Sequence, residues 1–239
     1  MNLIVNYKQP SEWTKQGIAI NQIAFEKVRE LTEYSFGYMP ESINVTIDLA
    51  NADAPISYPF YQQRLIILRP SPKPDKFSAQ AAYQFAHEIC HLMLNNKPIR
   101  PRDDWFSEVI CELFSRYCLL IIGYRDQNEE YQGYVDQLFD QTIAAFPLSQ
   151  LSDETSEVLQ RVRHNFADRN IFNYLADQLF PIAANDAEFW KNACYVTDFS
   201  NDKTFIQNLQ DWQLHSTPKS KKSVAKILDL FTGSHKLHS

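Results

Sequence analysis

The sequence His87-Glu88-Ile89-Cys90-His91, set in the apolar stretch of residues 86–94, constrains this chain more than any other feature. Two histidines four residues apart on an α-helix lie only about 40° apart around its axis, so both imidazoles reach one point. Glu88 falls on the flank of that stripe. It is poorly placed there as a third ligand from the same turn, and well placed to take a proton from an activated water. So short a pattern also arises by chance and needs a second, independent feature. That feature follows at residues 104–119, DWFSEVICELFSRYCL, where Glu108 and Glu112 repeat the four-residue spacing 17 and 21 residues beyond His91. A helix, a short connection and a second helix packed on the first bring that glutamate face to the histidines.

With these residues the chain resembles the gluzincins, the thermolysin-like metallopeptidases. Their signature is His-Glu-x-x-His followed, on a second helix, by a ligand glutamate and four residues later an acidic partner. The resemblance covers roughly residues 78–120. It implies that His87, His91 and Glu108 are zinc ligands, Glu88 the general base and Glu112 an outer carboxylate. The spacing leaves the converse open, with Glu112 as ligand and Glu108 as helper. Thermolysin itself has a longer stretch between the second histidine and the glutamate. Trp105-Phe106-x-Glu108 through Phe114-Ser115 is more similar to compact intracellular gluzincins, including small metallopeptidases that cleave phage or stress repressors. Two other zinc families do not fit. A metzincin needs Gly and a third His where this chain has Leu94 and Lys97. A peptide deformylase uses a cysteine ligand upstream of the motif, and no cysteine precedes Cys90.

The 239 residues, 44% hydrophobic, are enough to bury a full core. A net charge of −6 and a pI near 5.5 argue against a nucleic-acid partner, and Lys219, Lys221 and Lys222 read as a solvated helix start. No stretch approaches the roughly 18 apolar residues of a membrane span, and the start MNLIVNYKQPSEW lacks the marks of a secretory signal. Cys90, Cys111, Cys118 and Cys194 show no C-x-x-C spacing; the first three read as small core residues and the compartment as reducing, hence cytoplasmic.

Ile20, Ile23, Ala24, Val28 and Leu31 recur at helical spacing and predict a helix over residues 18–34, ended by Gly37 and Pro40. Ile43, Val45, Ile47 and Leu49 alternate with polar residues, as in a strand with one buried face. Residues 51–59 read as a loop, and residues 65–68 as a second strand. The motif helix is expected over residues 78–95, with Ser78 or Asp75 as cap. The glutamate helix starts from Asp103 or Asp104 and ends at Gly123. Val158, Val162 and Phe166; Ile171, Leu175 and Leu179; Phe205, Leu209 and Trp212; and Val224, Leu228 and Phe231 form four more amphipathic sets, with breaks at Pro147, Pro181 and Pro218.

The expected fold is therefore α+β: a small sheet with, by the resemblance, a zincin-like active-site helix and a glutamate helix, then a mainly helical C-terminal half. Residues 1–125 form the catalytic core, 126–232 a helical extension packed on it, and 233–239 a flexible tail. Residues 65–68, or the chain just before them, are expected to offer a sheet edge to an extended peptide.

A His₂Glu set suits Zn²⁺, which lowers the pKa of a bound water towards 7 and polarises a carbonyl. Glu88 takes the water's proton and passes it to the leaving amine, and Glu112 fixes a histidine tautomer. His164, or Tyr117, Tyr124 or Tyr195, are candidate oxyanion donors that no spacing distinguishes. The activity expected is zinc-dependent cleavage of a peptide bond in a peptide or protein substrate. The alternatives are a zinc-stabilised sensor or interaction module, and a helical scaffold carrying the motif by chance.

Overall fold

The computed structural model describes residues 2–8, 15–48, 56–60, 64–69, 78–94, 101–140, 146–165 and 169–233. The fold is α+β and mostly helical. Four strands, β1 (Asn2–Tyr7), β2 (Ser42–Ile47), β3 (Ile56–Phe60) and β4 (Leu65–Arg69), form one sheet. The helices are α1 (Lys15–Phe36), α2 (Ser78–Met93), α3 (Trp105–Arg125), α4 (Glu129–Asp140), α5 (Glu157–His164), α6 (Arg169–Ala183), α7 (Phe189–Ala193), α8 (Phe205–His215) and α9 (Lys221–Thr232). None of them is long and apolar enough to cross a membrane.

The sheet order is β1-β2-β4-β3, with β1, β2 and β4 parallel and β3 antiparallel. The register places Leu3 and Val5 beside Ile43 and Val45, and Val45 and Ile47 beside Ile66 and Leu68, so one face of the sheet is continuously apolar. Main-chain directions follow from two bonds: Lys8 N–H donates to the Ile47 carbonyl (2.8 Å) and Asp48 N–H to the Leu68 carbonyl (2.9 Å). Hence positions 2, 4, 6 and 8 face β2, and positions 65, 67 and 69 of β4 face β3. By the printed register, positions 56, 58 and 60 of β3 turn inward and 57 and 59 outward. Pro59, which has no N–H, thus stands where the ladder needs no donor.

Two sequence expectations change here. The loop expected at 51–59 is a strand from Ile56 onward, because an edge strand accommodates Pro59; residues 51–55 lie outside the described residues. β4 is an inner strand, so the sheet edge is the chain just before it, β3. β1, with only three consecutive apolar residues to mark it, was not expected at all.

α1 covers the predicted helix and ends as expected: Gly37, at φ +76°, donates to the Glu33 carbonyl (2.9 Å). Its buried stripe is rotated from the prediction. Asn21, Ala24, Phe25, Val28 and Thr32 are buried, whereas Ile20 and Ile23 are 38% and 56% exposed. The cause is Phe25, which takes the contact with α2 through Phe85, ring centroids 4.9 Å apart.

The start of α2 is held from a distance. Glu130 of α4 accepts from the Ala79 N–H (2.9 Å) and the Ser78 hydroxyl (3.1 Å), placing a carboxylate at the positive end of the helix. Ser78 therefore works as a donor to Glu130; Asp75 lies outside the described residues. Gly123 does not end α3, which runs on to Arg125. A Cβ there would lie 3.0 Å from Gln132 Cγ, and the Gly123 carbonyl accepts from Gln132 Nε2 (2.9 Å), so this glycine serves close approach of α4. The left-handed position of the turn falls to Gln127, φ +52°.

Further along, α5, α6, α8 and α9 match the four amphipathic sets, with Phe166 outside the described residues. Pro181 does not break the chain but sits inside α6, near its end. Thr204 and Gln207 form a reciprocal capping box on α8, and Gly233, φ +67°, ends α9. The tail beyond it is outside the described residues.

The chain forms two compact units, Met1–Asn96 with Phe114–Asp140, and Lys97–Leu113 with Gln141–Ser239. Side-chain bonds hold each unit together. In the first unit α4 is tied to α2 by Glu130, and the turn between α3 and α4 to α1 by the Lys27–Asp126 pair (2.6 Å). In the second, Trp105 and Phe106 enter an aromatic core: Trp105 and Phe106 lie 4.9 and 5.3 Å from Phe205, and Phe106 lies 5.9 Å from Phe231. There too Arg163 Nε donates to Asp103 (2.7 Å) and Arg163 Nη1 to Glu154 (2.7 Å).

Asp103 and Arg163 are buried together, 1% and 5% exposed. Asp103→Ala leaves a buried guanidinium short of a partner and is expected to lower unfolding stability by about 3 to 5 kcal/mol in urea denaturation. Arg163 also holds the Glu154 carboxyl below its usual range. A depressed folded pKa stabilises above the unfolded value of about 4.5 and the gain is lost as pH falls through the folded value. Wild type should therefore lose more stability than Glu154→Gln on acidification below about 4.5, measured by urea titration at each pH.

Candidate metal centre

α2 carries its motif on a helix that is buried almost all round. His91 is 3% exposed and Glu88 4%, while His87 is half-buried. Their spacing does what helical geometry dictates: His87 Nε2 and His91 Nε2 stand 3.2 Å apart, with the rings tilted by 69°. On α3, Glu108 lies in the first turn and is half-buried, and Glu112, one turn on, is 7% exposed. His87, His91 and Glu108 each bring one ligand atom within 4.8 Å of the other two. Of the two glutamates the spacing left open, Glu108 is in this group. Cys90, between the histidines, is fully buried, as are Cys111 and Cys118, and burial pushes the Cys118 thiol well above its usual value.

The donor set fits a tetrahedral divalent ion. Two Zn–N bonds of about 2.0 to 2.1 Å at a tetrahedral angle separate the nitrogens by about 3.3 Å. A single N–H···N hydrogen bond between the rings would hold them at a similar distance, so the histidine pair alone does not discriminate. The buried and half-buried charged side chains of α2 and α3 are Glu88, Glu108, Glu112 and Arg116, the last fully buried with its guanidinium 5.0 Å from the Phe139 ring centroid. Three carboxylates and one guanidinium thus lie on the same two helices as the histidine pair. Sequence reading missed Arg116, although its place four residues after Glu112 puts both on one face of α3.

The candidate oxyanion donors fare differently. His164 is exposed at the end of α5, and its Nδ1–H donates to the Gln160 carbonyl (2.6 Å). In the neutral ring this leaves Nε2 an acceptor, the wrong polarity for an oxyanion. Tyr124 is 69% exposed, and the Tyr195 hydroxyl lies 3.2 Å from His215 Nδ1. Tyr117 is half-buried, and burial raises its pKa so that it keeps its proton.

Zinc content by atomic emission tests the ligand set. One zinc per chain is expected for wild type, lost in His87→Ala and Glu108→Ala. Glu112→Ala should keep it with affinity weakened by about 10- to 100-fold, the usual effect of removing an outer partner. Wild type that neither copurifies with nor rebinds a divalent metal would remove the site. No family model, curated protein or solved structure matches this chain.

Proposed function

We propose that this protein is a zinc-dependent hydrolase that cleaves a peptide bond, with His87, His91 and Glu108 as metal ligands and Glu88 as general base. The observation that carries the reading is the grouping of His87, His91 and Glu108, whose ligand atoms all lie within 4.8 Å of one another, with Glu88 buried directly after His87. A zinc ion there supplies Lewis acidity towards a carbonyl and acidifies water.

The chain's own groups perform the rest. Glu88, directly after His87 and 4% exposed, accepts the proton of the attacking water in a site of low polarity and returns it to the leaving amine. Glu112, buried one turn beyond the ligand glutamate, orients a ligand histidine through its ring N–H. β3 runs against α2 as the antiparallel edge of the sheet. Its outward main-chain groups, the N–H and carbonyl of Ser57 and the carbonyl of Pro59, suit an extended peptide. A sensor or interaction module that uses zinc only to hold its fold gains nothing from a buried carboxylate at position 88, which is why the hydrolase is preferred.

The reading is tested with Glu88→Gln. The amide keeps the shape of the side chain and loses the base, so turnover of a fluorogenic peptide library should fall by about 100- to 10,000-fold with zinc content unchanged. Equal activity in both proteins, or activity that survives chelation of the metal, would sink it.

A further inference from the structure

We propose that Gln84 selects the substrate, pairing its carboxamide with that of an asparagine or glutamine side chain within two residues of the bond cleaved. The inference rests on the hydrolase reading and adds a substrate class to it. It starts from the faces of α2, which is buried except at Gln80, His87 and Leu92. At 100° per residue, His87 and His91 lie about 20° to either side of Gln80, Gln84 at about 40° and Glu88 at about 80°. Ala82, Phe85, Ile89 and Met93, fully buried, fall on the opposite side, between about 140° and 220°. Gln84 therefore stands with the histidines and not with the core.

A second observation is the state of its amide. Gln84 is 6% exposed, and its Oε1 is shut from water with no hydrogen-bond partner among the described residues. A buried amide left unpaired is costly, and an apolar side chain of the same length would avoid the cost. Beside a reaction site, a partner that arrives with the ligand accounts for such a group.

Reach sets where that partner sits. Gln84 lies one turn before His87 and Glu88, with about 5 to 6 Å between Cβ atoms at that spacing. An extended peptide advances about 3.3 Å per residue. A substrate whose reacting carbonyl meets Glu88 thus has side chains within two residues at the distance of Gln84.

The chemistry sets its kind. A carboxamide offers an acceptor oxygen and two N–H donors, and its soft terminal torsion lets both ends come to bear. A carboxylate brings only acceptors and would face Oε1 with like polarity. Lysine and arginine bring only donors and leave Nε2 unused, and a hydroxyl carries both roles on a single atom. Asparagine and glutamine present a donor and an acceptor side by side and close two hydrogen bonds at once.

The test uses the full chain and fluorogenic peptides in which each position within two residues of the cleaved bond is varied among Gln, Asn, Glu, Met and Leu. At one position Gln or Asn should exceed Met in kcat/KM by about 5- to 150-fold, the effect of leaving a buried polar group unpaired. Gln84→Met should invert that preference with zinc content unchanged. Because it removes the unpaired amide and keeps the shape, it should unfold in urea at the same or a higher midpoint. A readout free of turnover uses Glu88→Gln, in which fluorescence anisotropy should rank the Gln peptide above the Met peptide in affinity, and Gln84→Met added to it should reverse the order. Cleavage that depends on Glu88 but ignores the varied side chains, or a preference unchanged in Gln84→Met, would overturn the proposal and leave the hydrolase standing. A lower urea midpoint for Gln84→Met would mark the amide as structural and overturn it too. Wild type without any cleavage that depends on Glu88 would overturn both readings.

Discussion

A carboxylate taken into a protein interior must be met there by charge or hydrogen bonds, and α2 and α3 carry Glu88 and Glu112 buried and Glu108 half-buried, with Arg116 fully buried on α3. His87 and His91 stand with ring nitrogens 3.2 Å apart. Glu108 is brought to within 4.8 Å of them rather than turned to solvent. These are the positions from which the proposed metal site is built.

The precision this demands is supplied by anchors outside the motif. α2 is fixed at its start by Glu130, whose carboxylate meets the Ala79 N–H and the Ser78 hydroxyl. α3 is fixed near its start by Trp105 and Phe106, rooted among Phe205 and Phe231, and further on by Phe114 against Phe36, 5.2 Å away.

Much of this was legible in the residues. The histidine and glutamate spacings, Gly37 at the end of α1 and the alternation of β2 are local signals, and local signals survive folding. What escaped was set by long-range partners. Nothing near Ser78 announces that its cap comes from Glu130, 52 residues on. Gly123 looks like a helix terminator and is instead a point of close approach, because the constraint lies on Gln132. Residues 56–60 look like a loop because Pro59 is unfavourable in most strands; only the direction of its neighbours reveals that its missing N–H is not needed. Arg116 was legible from spacing, since a cation four residues after Glu112 on a buried helix has an evident use.

The rotation of the α1 stripe joins these points to the sheet. Periodicity measures where apolar residues fall, not which of two neighbours claims them. On α1 the aromatic contact of Phe25 with Phe85 turns Ala24 and Val28 inward, and Ile20 and Ile23 turn outward. A helix that carries apolar residues on both sides must be covered on both sides, or leave one exposed at a cost in solubility. Beside that side runs β1, one edge strand of the sheet, while the opposite edge strand, β3, carries Pro59 at an outward position, where the ladder needs no donor.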